Sequence, residues 1–369
     1  MNANQIIMAV LAVFVVLATL DRCIGNRLGL AGELERAFEM LGIMGLNVVG
    51  LVCMAPVIAG VLQPVVVPAF SALGADPALF SGCILSPDCG GYSIAAELSD
   101  DPEMVRFGGL LVAAILGGVV AFAIPVCCGL LKGEDLRYFA VGVLAAFAVA
   151  PITCLTAGLM MGLSPVKTLK NLVPVILLAA LIVVGLALIP QRMIRGFQLF
   201  ARGLGVVVMA GLALGAVEAM TGLVILPGMN PVEDGFLIIG SVTITMAGAL
   251  PLIYFVTRAG KRPLNAVGSR LGMNDTSLVS ILICTVTFVP AILSYEKLNA
   301  REKVLLAAAI ATVGNMAGAH LGFIAMTDQE MILPMVGAKV VGGVLALPLS
   351  ALLGRRLFRE VWSKRGEER

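Results

Sequence analysis

The sequence predicts an all-α polytopic membrane protein with about nine spanning helices and two re-entrant hairpins, arranged as an inverted-topology repeat. Composition is the first observation behind this prediction. The 369 residues are 59% hydrophobic and 13% charged, with a mean hydropathy of +1.02, and a soluble domain could not cover so apolar a chain with a polar surface. A net charge of only +2, with no basic run interleaved with aromatic residues, provides no footprint for a nucleic acid. We therefore expect the lipid bilayer, and no nucleic acid, as a partner.

The second observation is a series of eleven apolar segments, each close to the roughly 20 residues that a helix needs to cross the hydrocarbon core. The segments are residues 6–20, 40–60, 78–97, 107–131, 138–163, 172–189, 203–226, 236–257, 275–294, 304–325 and 331–354. No Lys or Arg precedes the first segment, and the first basic residue is Arg22. We therefore interpret this segment as a retained helix with its N-terminus outside, because a signal peptide would begin with basic residues.

The third observation is where the basic residues fall between these segments. If all eleven segments crossed the bilayer, nine of the 24 basic residues outside the segments would face outward, against the preference of Lys and Arg for the cytoplasm. If residues 78–98 and 275–296 are instead hairpins that enter and leave on one side, only Arg106, Lys167 and Lys170 face outward. The pattern therefore favours nine crossings, two hairpins and a cytoplasmic C-terminus.

Internal repetition favours the same architecture. The sequence Leu73–Pro77 resembles Leu271–Asp275, and the surroundings of Pro151 resemble those of Pro348 at a similar spacing of roughly 200 residues. The two hairpins fall at equivalent positions, but one enters from outside and the other from inside. We predict a first repeat at residues 1–165, a connecting helix at 166–195, an inverted second repeat at 196–355 and a cytoplasmic tail at 356–369.

The tip of the first hairpin contains an aspartate inside an apolar run. An acid there costs roughly 2.5 to 3.5 kcal/mol, and irregular backbone is tolerated only beside protein or a wet cavity. We interpret Asp88 as a ligand for a small cation; the alternative is that it caps the second half-helix. The glycines would allow close backbone approach, or would serve helix packing alone. The predicted site residues in this hairpin are Ser86, Asp88, Cys89, Gly90, Gly91 and Tyr92, whose ring could contact an ammonium group.

Uncharged polar residues in other apolar segments extend the predicted site. Thr285 and Thr287 lie at the tip of the second hairpin, where their hydroxyls could meet a substrate hydroxyl. The alternative is that each hydroxyl bonds to its own helix. Asn47 and Asn315 also lie in apolar segments and complete the predicted substrate-binding set.

Two charged residues, Glu218 and Lys339, lie within apolar segments and need a partner or a wet cavity. One interpretation is a mutual ion pair. The other makes Glu218 a second cation ligand or proton relay, and Lys339 a fixed charge where an ion-coupled transporter would bind its ion. His320 is interpreted as a hydrogen-bonded packing residue. Seven of the eight cysteines lie in apolar runs, none at metal-ligand spacing with His320, so we expect no metal and no cofactor.

A series of short motifs runs through the chain: Met54–Val57, Val61–Pro64, Leu73–Pro77, Asp88–Gly91, Ala96–Leu98, Arg137–Ala145 and Ala319–Phe323. This series resembles the EutH family of ethanolamine-utilisation permeases. The resemblance covers most of the chain and is densest between about residues 50 and 160.

The resemblance implies a permease of the bacterial cytoplasmic membrane that takes up ethanolamine. Ethanolamine is an amine like that of Lys, mostly protonated at neutral pH, so a carboxylate such as Asp88 would help it to cross a low-dielectric barrier. Inverted-repeat carriers bind substrate near the midplane and work by alternating access, and by analogy a homodimer is possible. An ion-coupled transporter of another small organic cation or amino compound is the alternative. An intramembrane enzyme or sensor is less favoured, because no nucleophile adjoins a general base.

Overall fold

All regular secondary structure is helical in the computed structural model, which describes residues 3–86, 91–259 and 275–358. The helices are α1 Ala3–Cys23, α2 Leu30–Ala72, α3 Ala78–Ile84, α4 Gly91–Leu98, α5 Pro102–Leu130, α6 Glu134–Met160, α7 Pro165–Asn171, α8 Val173–Leu188, α9 Pro190–Thr221, α10 Val232–Ala259, α11 Asp275–Val286, α12 Val289–Leu293, α13 Ala300–Val313, α14 Ala319–Thr327 and α15 Ile332–Leu357. Short 3₁₀ turns lie at Tyr295–Lys297 and Gln329–Met331.

Seven of these described helices, namely α1, α2, α5, α6, α9, α10 and α15, are long and apolar enough to cross a membrane. The pair α7 and α8, bent by 46°, makes an eighth if it counts as one span. An all-helical polytopic membrane protein is therefore confirmed.

Helix α2 is 43 residues long and extends well beyond the predicted segment 40–60. At a rise of 1.5 Å per residue it measures roughly 65 Å, about twice the hydrocarbon thickness. Its start is fixed by Asp21, whose buried carboxylate accepts hydrogen bonds from the backbone N–H groups of Leu28, Leu30 and Ala31. The sequence analysis missed residues 30–39 because these first turns are polar, and it ended the segment at residue 60 although the helix continues through Pro64 and Pro68 to Ala72.

The first hairpin, α3 and α4, packs against α5 through glycines. A Cβ on Gly82 would lie 2.1 Å from the carbonyl oxygen of Gly108, and a Cβ on Gly108 would lie 2.6 Å from that of Ala78. The two backbones can therefore approach only because both positions lack a side chain. Helix α5 is wound as a π-helix along this contact, from Phe107 to Gly117 and again from Val119 to Ala123. Such winding is rare and concentrates at functional sites.

The ends of the first hairpin meet. Asp76, which precedes α3, accepts a hydrogen bond from the hydroxyl of Ser99, which follows α4. Asp76 also accepts one from the backbone N–H of Ala78 and donates its own backbone N–H to the side chain of Asn171. The chain therefore enters and leaves this hairpin at one place.

The predicted continuous segment 304–325 is wrong: the structure breaks it between α13 and α14. Asn315 lies in the break with a φ of +56°, a conformation that few residues other than glycine adopt. A Cβ on Gly318 would lie within 2 Å of the carbonyl oxygen of Val286. Apolar composition alone concealed this break, because hydropathy does not register backbone conformation.

Contacts between helices follow a reciprocal pattern. Helix α2 packs along α10, and α6 packs along α15. Helix α9 packs on α2, while α1 packs on α10. The packing of α9 on α2 is therefore related to that of α1 on α10 by exchanging α1 with α9 and α2 with α10.

Two ion pairs, at opposite ends of the bundle, join the halves. At the end where α5 starts, which we call the α5-start end, Arg106 pairs with Asp328 and Glu330. At the other, the α2-start end, Lys303 pairs with Asp135 at 2.6 Å. Arg106 lies near the start of α5 and its partner Asp328 lies just before α15, whereas Lys303 lies near the start of α13 and its partner Asp135 lies in the first turn of α6.

A second cluster at the α5-start end links α7 to the start of α5. Lys167 donates to the carboxylates of Asp101 and Glu103 at 2.9 and 2.6 Å. Partial burial alone would raise the pKa of Asp101, but the hydrogen bonds from Lys167 and from the backbone N–H groups of Met104 and Glu103 outweigh it and lower this pKa. This carboxylate therefore stays ionised at neutral pH.

We expect Asp135→Asn to lower the thermal unfolding midpoint of the purified protein more than Lys297→Gln, an exposed control. The side chains of Lys303 and Asp135 are only 13% and 18% exposed, so removing one partner leaves a poorly hydrated charge, at a cost of about 1–3 kcal/mol. The exchange Asp135→Lys with Lys303→Asp should recover part of the loss in the same measurement. Equal midpoints for Asp135→Asn and Lys297→Gln would contradict the stabilising role of this pair.

Candidate functional site

The tip of the first hairpin is built around close backbone contacts. A Cβ on Gly91 would lie 2.8 Å from Ser86 Oγ, and a Cβ on Gly117 of α5 would lie 2.5 Å from Ser86 Cβ. Gly91 is therefore a position of close approach, one of the two interpretations that the sequence left open. Three predicted site residues, Asp88, Cys89 and Gly90, lie outside the described residues, as does Pro87.

Ser86 is fully buried, and within the described chain no hydrogen-bond partner reaches its hydroxyl. A buried hydroxyl without a partner costs free energy. Next along α5, Gly118 faces His320 of α14, and a Cβ at this glycine would lie 3.0 Å from His320 Nε2. Both ring nitrogens of His320 also lack a hydrogen-bond partner in the part of the chain that is described. His320 is buried, as expected of a packing residue, but the expected hydrogen bond is not found among the described residues.

Tyr92 contacts the second half of the protein. Its ring lies 6.3 Å from that of Phe323 in an edge-on arrangement, and Phe323 follows His320 by one turn of α14. The first hairpin therefore faces the side of α14 that also presents His320.

The tip of the second hairpin lies between α11 and α12, with Thr287 and Phe288 at the turn. Phe288 packs edge-on against Phe122 of α5, with ring centroids 5.4 Å apart. The hydroxyl of Thr285 donates to the carbonyl of Leu282 in its own helix, which was the alternative interpretation for this residue. Thr287, by contrast, borders a cavity.

The second hairpin also holds the broken helix by backbone hydrogen bonds. The N–H of Asn315 donates to the carbonyl of Cys284, and the N–H of Ala317 donates to that of Thr285. These bonds satisfy groups that the break would otherwise leave without partners. The side-chain oxygen of Asn315 is buried and accepts no hydrogen bond from the described residues.

A cavity of about 210 Å³ lies where α2, α5, the second hairpin and the break meet. Its polar lining residues are Asn47, Thr287 and Asn315, all members of the predicted site, and its apolar lining includes Phe122 and Phe288. A water molecule occupies about 30 Å³ in the liquid, so a solute of a few heavy atoms fits with some water. The structure thus brings together three residues that are distant in sequence.

A larger cavity of about 680 Å³, which we call the vestibule, adjoins the first. Both cavities are lined by Met40, Val286, Thr287 and Pro290. The vestibule extends to charged residues in the first turns of α2 and to polar residues near the end of α10. These residues are Glu33, Arg36, Glu39, Tyr254 and Thr257. The small cavity therefore lies next to a wide space at the α2-start end.

Glu218 and Lys339 lie in different parts of the fold. Glu218 is half-buried near the end of α9. The Lys339 ammonium group donates to the carbonyls of Thr312 and Gly314, at 3.1 and 3.0 Å. The contacts described for these two side chains do not join them.

The sequence analysis missed the broken helix, the vestibule and the position of His320. A signal for the break was present, because Gly314, Asn315 and Gly318 cluster within five residues of an apolar segment. The vestibule left no such signal, since residues from three separate helices line it.

Long apolar helices, two helical hairpins and a broken helix beside an internal cavity define a polytopic helical membrane protein. The chain belongs to the EutH family: residues 3–353 match the family described as "Ethanolamine utilisation protein, EutH". This confirms the family resemblance that the sequence motifs carried.

Relatives from several bacteria align over nearly the whole chain. A protein of Listeria monocytogenes named "Probable ethanolamine permease EutH" is 38% identical, over 98% of this chain and 96% of its own length. An Escherichia coli protein with the same name is 33% identical, over 96% of each chain. A Bacillus subtilis relative named "Uncharacterized protein YxeR" is 37% identical, over 95% of each. No solved structure matches the chain. The names of these permeases support a membrane transporter.

We expect Thr287→Cys to react with the small cation methanethiosulfonate-ethylammonium, added at the α2-start end, in a Cys23→Ser background. The reason is that Thr287 borders both cavities, whereas the native cysteines at 53, 83, 127, 128, 154 and 284 are buried. Mass spectrometry of the intact protein would measure the modification over time.

The matched control is Thr153→Cys, another buried threonine, which borders a cavity of only about 10 Å³. If Thr153→Cys were modified as fast as Thr287→Cys, the vestibule would not be the route of the reagent. The Cys23→Ser parent protein measures any modification of Cys89, which is subtracted from both rates.

Proposed function

We propose that this protein takes up ethanolamine across the bacterial cytoplasmic membrane by alternating access around a midplane site. The observation that carries the proposal is the 210 Å³ cavity beside the helix break, adjoining the vestibule, in a chain of the EutH family. Asn47, Thr287 and Asn315 offer donors and acceptors to a hydroxyl or amine. Phe122 and Phe288 provide an apolar wall for the two methylenes of ethanolamine.

The ammonium group of ethanolamine requires a negative or strongly polar partner inside the bilayer. We propose Asp88 as that partner on the basis of the sequence, together with the carbonyls of the half-helix that ends near Ser86, and with Cys89 and Gly90 beside it. The described surroundings support this assignment: Gly91 gives close approach, and Ser86 is polar, buried and without a hydrogen-bond partner. Tyr92 would contribute its ring, which packs on Phe323.

Two aromatic contacts support the inverted repeat. Tyr92 of the first hairpin contacts Phe323 of α14, in the broken helix that follows the second hairpin. Phe288 of the second hairpin contacts Phe122 of α5, the helix that follows the first hairpin. The same exchange relates the ion pairs Arg106–Asp328 and Lys303–Asp135. With the reciprocal helix packing, these contacts support a two-fold pseudosymmetry with the predicted boundaries 1–165, 166–195 and 196–355.

Nine crossings follow if the broken pair α13 and α14 spans the bilayer as well. The eight candidate spans and this pair then alternate in direction, with the hairpins 78–98 and 275–296 returning to the end from which they start. In the proposed orientation the N-terminus is outside, and the C-terminus and the α2-start end are cytoplasmic. The vestibule then faces the cytoplasm, and the described conformation corresponds to an inward-facing state.

Uptake into proteoliposomes tests the transport function directly. Vesicles that contain only this protein should accumulate labelled ethanolamine with saturable kinetics, whereas empty vesicles should not. Stronger competition by choline, glycerol or another small amine than by ethanolamine would favour the alternative, a transporter of another organic cation. Failure of labelled ethanolamine to enter under any imposed ion gradient would contradict the proposal.

We expect Asp88→Asn to reduce uptake at low ethanolamine concentration by at least about tenfold, because a hydrogen bond to a charged group contributes about 1.5–3 kcal/mol. The amount of protein in the membrane should not change. Asp100→Asn, a change at an exposed loop residue, is the matched control. Normal low-substrate uptake by Asp88→Asn would contradict the ammonium-site assignment.

We expect Asn315→Gly to weaken the preference for ethanolamine over ethylamine, because the lost amide would contact the substrate hydroxyl. Glycine keeps the positive φ of this position, so the backbone of the break is preserved. Asn26→Gly, at the other asparagine with positive φ among the described residues, is the control because it lies in an exposed loop. The ratio of inhibition constants for the two amines measures the effect, and an unchanged ratio would exclude Asn315 from hydroxyl recognition.

A further inference from the structure

The ammonium group of Lys339 occupies a site made of backbone carbonyls. Lys339 lies in the middle of α15, and its side chain is only 1% exposed. Its Nζ donates to the carbonyl oxygens of Thr312 and Gly314 at 3.1 and 3.0 Å. A lysine inside a spanning helix costs roughly 2.5 to 3.5 kcal/mol on insertion scales, so a role that requires its charge is expected.

These two carbonyls lie where α13 ends, at Val313. The last four carbonyls of a helix have no partner within the helix, and the helix dipole places partial negative charge at this end. In transporters built from broken helices, such ends and the unwound carbonyls beyond them coordinate Na⁺ or H⁺. The break at 314–318 therefore creates a cation site by its geometry.

The ammonium group of Lys339 connects three structural elements. Helix α15 supplies Lys339, α13 supplies the carbonyls, and the break that follows is held to the second hairpin by the bonds to Cys284 and Thr285. The same break places Asn315 beside the 210 Å³ cavity. A cation at this point therefore stabilises the geometry of the proposed substrate site.

We propose that the carbonyl end at Thr312 and Gly314 is a monovalent-cation site, which Lys339 fills permanently in place of a metal ion. It follows that the protein needs no Na⁺ or K⁺ to hold the break. Removing the ammonium group opens the site to Na⁺ or K⁺ from solution. The consequence for transport rests on the proposed function, because only a transporter would use such an ion for coupling.

Thermal unfolding of the purified full-length protein tests this site without reference to transport. Midpoints would be measured in NaCl, KCl and N-methyl-D-glucamine chloride at equal ionic strength. We expect the wild-type midpoint to be the same in all three salts. Lys339→Ala should unfold at a lower temperature in N-methyl-D-glucamine chloride. Its midpoint should rise by about 2 °C when the concentration of Na⁺ or K⁺ exceeds its dissociation constant tenfold.

Ser350→Ala removes another fully buried polar group of α15 and is the matched control, with a midpoint that should not depend on the cation. A wild-type midpoint raised by Na⁺ or K⁺ would overturn the proposal, as would a Lys339→Ala midpoint equal in all three salts. If Lys339→Ala does not fold, Lys339→Gln replaces it with the same expectations. If neither variant folds, the three wild-type midpoints alone test the proposal, and a higher midpoint in NaCl or KCl than in N-methyl-D-glucamine chloride would overturn it.

Uptake measurements then separate the two proposals. Replacing Na⁺ and K⁺ by N-methyl-D-glucamine should change the initial rate of ethanolamine uptake by wild-type protein by less than about twofold. An uptake rate that depends on Na⁺ or K⁺ would overturn the proposal that Lys339 replaces a metal ion, although the protein would still transport ethanolamine. Absence of uptake would overturn the proposed function, and the unfolding experiment would still judge the cation site.

Discussion

Satisfying backbone polar groups away from water is the constraint on which this structure depends. Within a bilayer an unpaired N–H or carbonyl costs several kcal/mol, so a helix can break only where other groups replace its hydrogen bonds. At residues 314–318 the N–H groups of Asn315 and Ala317 find carbonyls of the second hairpin, and Lys339 binds the carbonyls of Thr312 and Gly314. The break, the hairpin and the buried lysine therefore form one interdependent unit.

The helices beside the two hairpins differ in how they accommodate close backbone contact. The helix that follows the second hairpin is broken between α13 and α14, whereas α5, which follows the first hairpin, stays continuous and is wound as a π-helix. The glycines of α5 at 108 and 117 let the first hairpin approach its backbone. The surroundings of the two hairpins therefore differ where polar groups concentrate. Asn315 and Thr287 border a cavity, and Ser86 of the first hairpin is buried with no hydrogen-bond partner among the described residues.

Much of the fold was predictable because the bilayer imposes simple rules on composition. Apolar segments of about 20 residues located the spanning helices, but they missed both ends of α2, the start of α9 and the break between α13 and α14. Part of the candidate site was also predictable. Asn47, Thr287 and Asn315 were chosen because polar groups in apolar helices are rare, and all three border one cavity. The same argument could not separate Thr285 from Thr287, since one residue along the helix decides which hydroxyl faces the cavity and which bonds to Leu282.

The sequence by itself determined that the chain is a polytopic membrane protein of the EutH family, and that few polar side chains were available for a site inside the bilayer. Hydropathy and motifs carry this information locally, residue by residue. Only the tertiary structure decided that the helix formed by α13 and α14 is broken. It also decided that Lys339 binds backbone carbonyls rather than Glu218, and that a vestibule leads to Thr287. These features depend on contacts between helices far apart in the chain, and the free energy of such contacts is fixed by packing geometry rather than by composition.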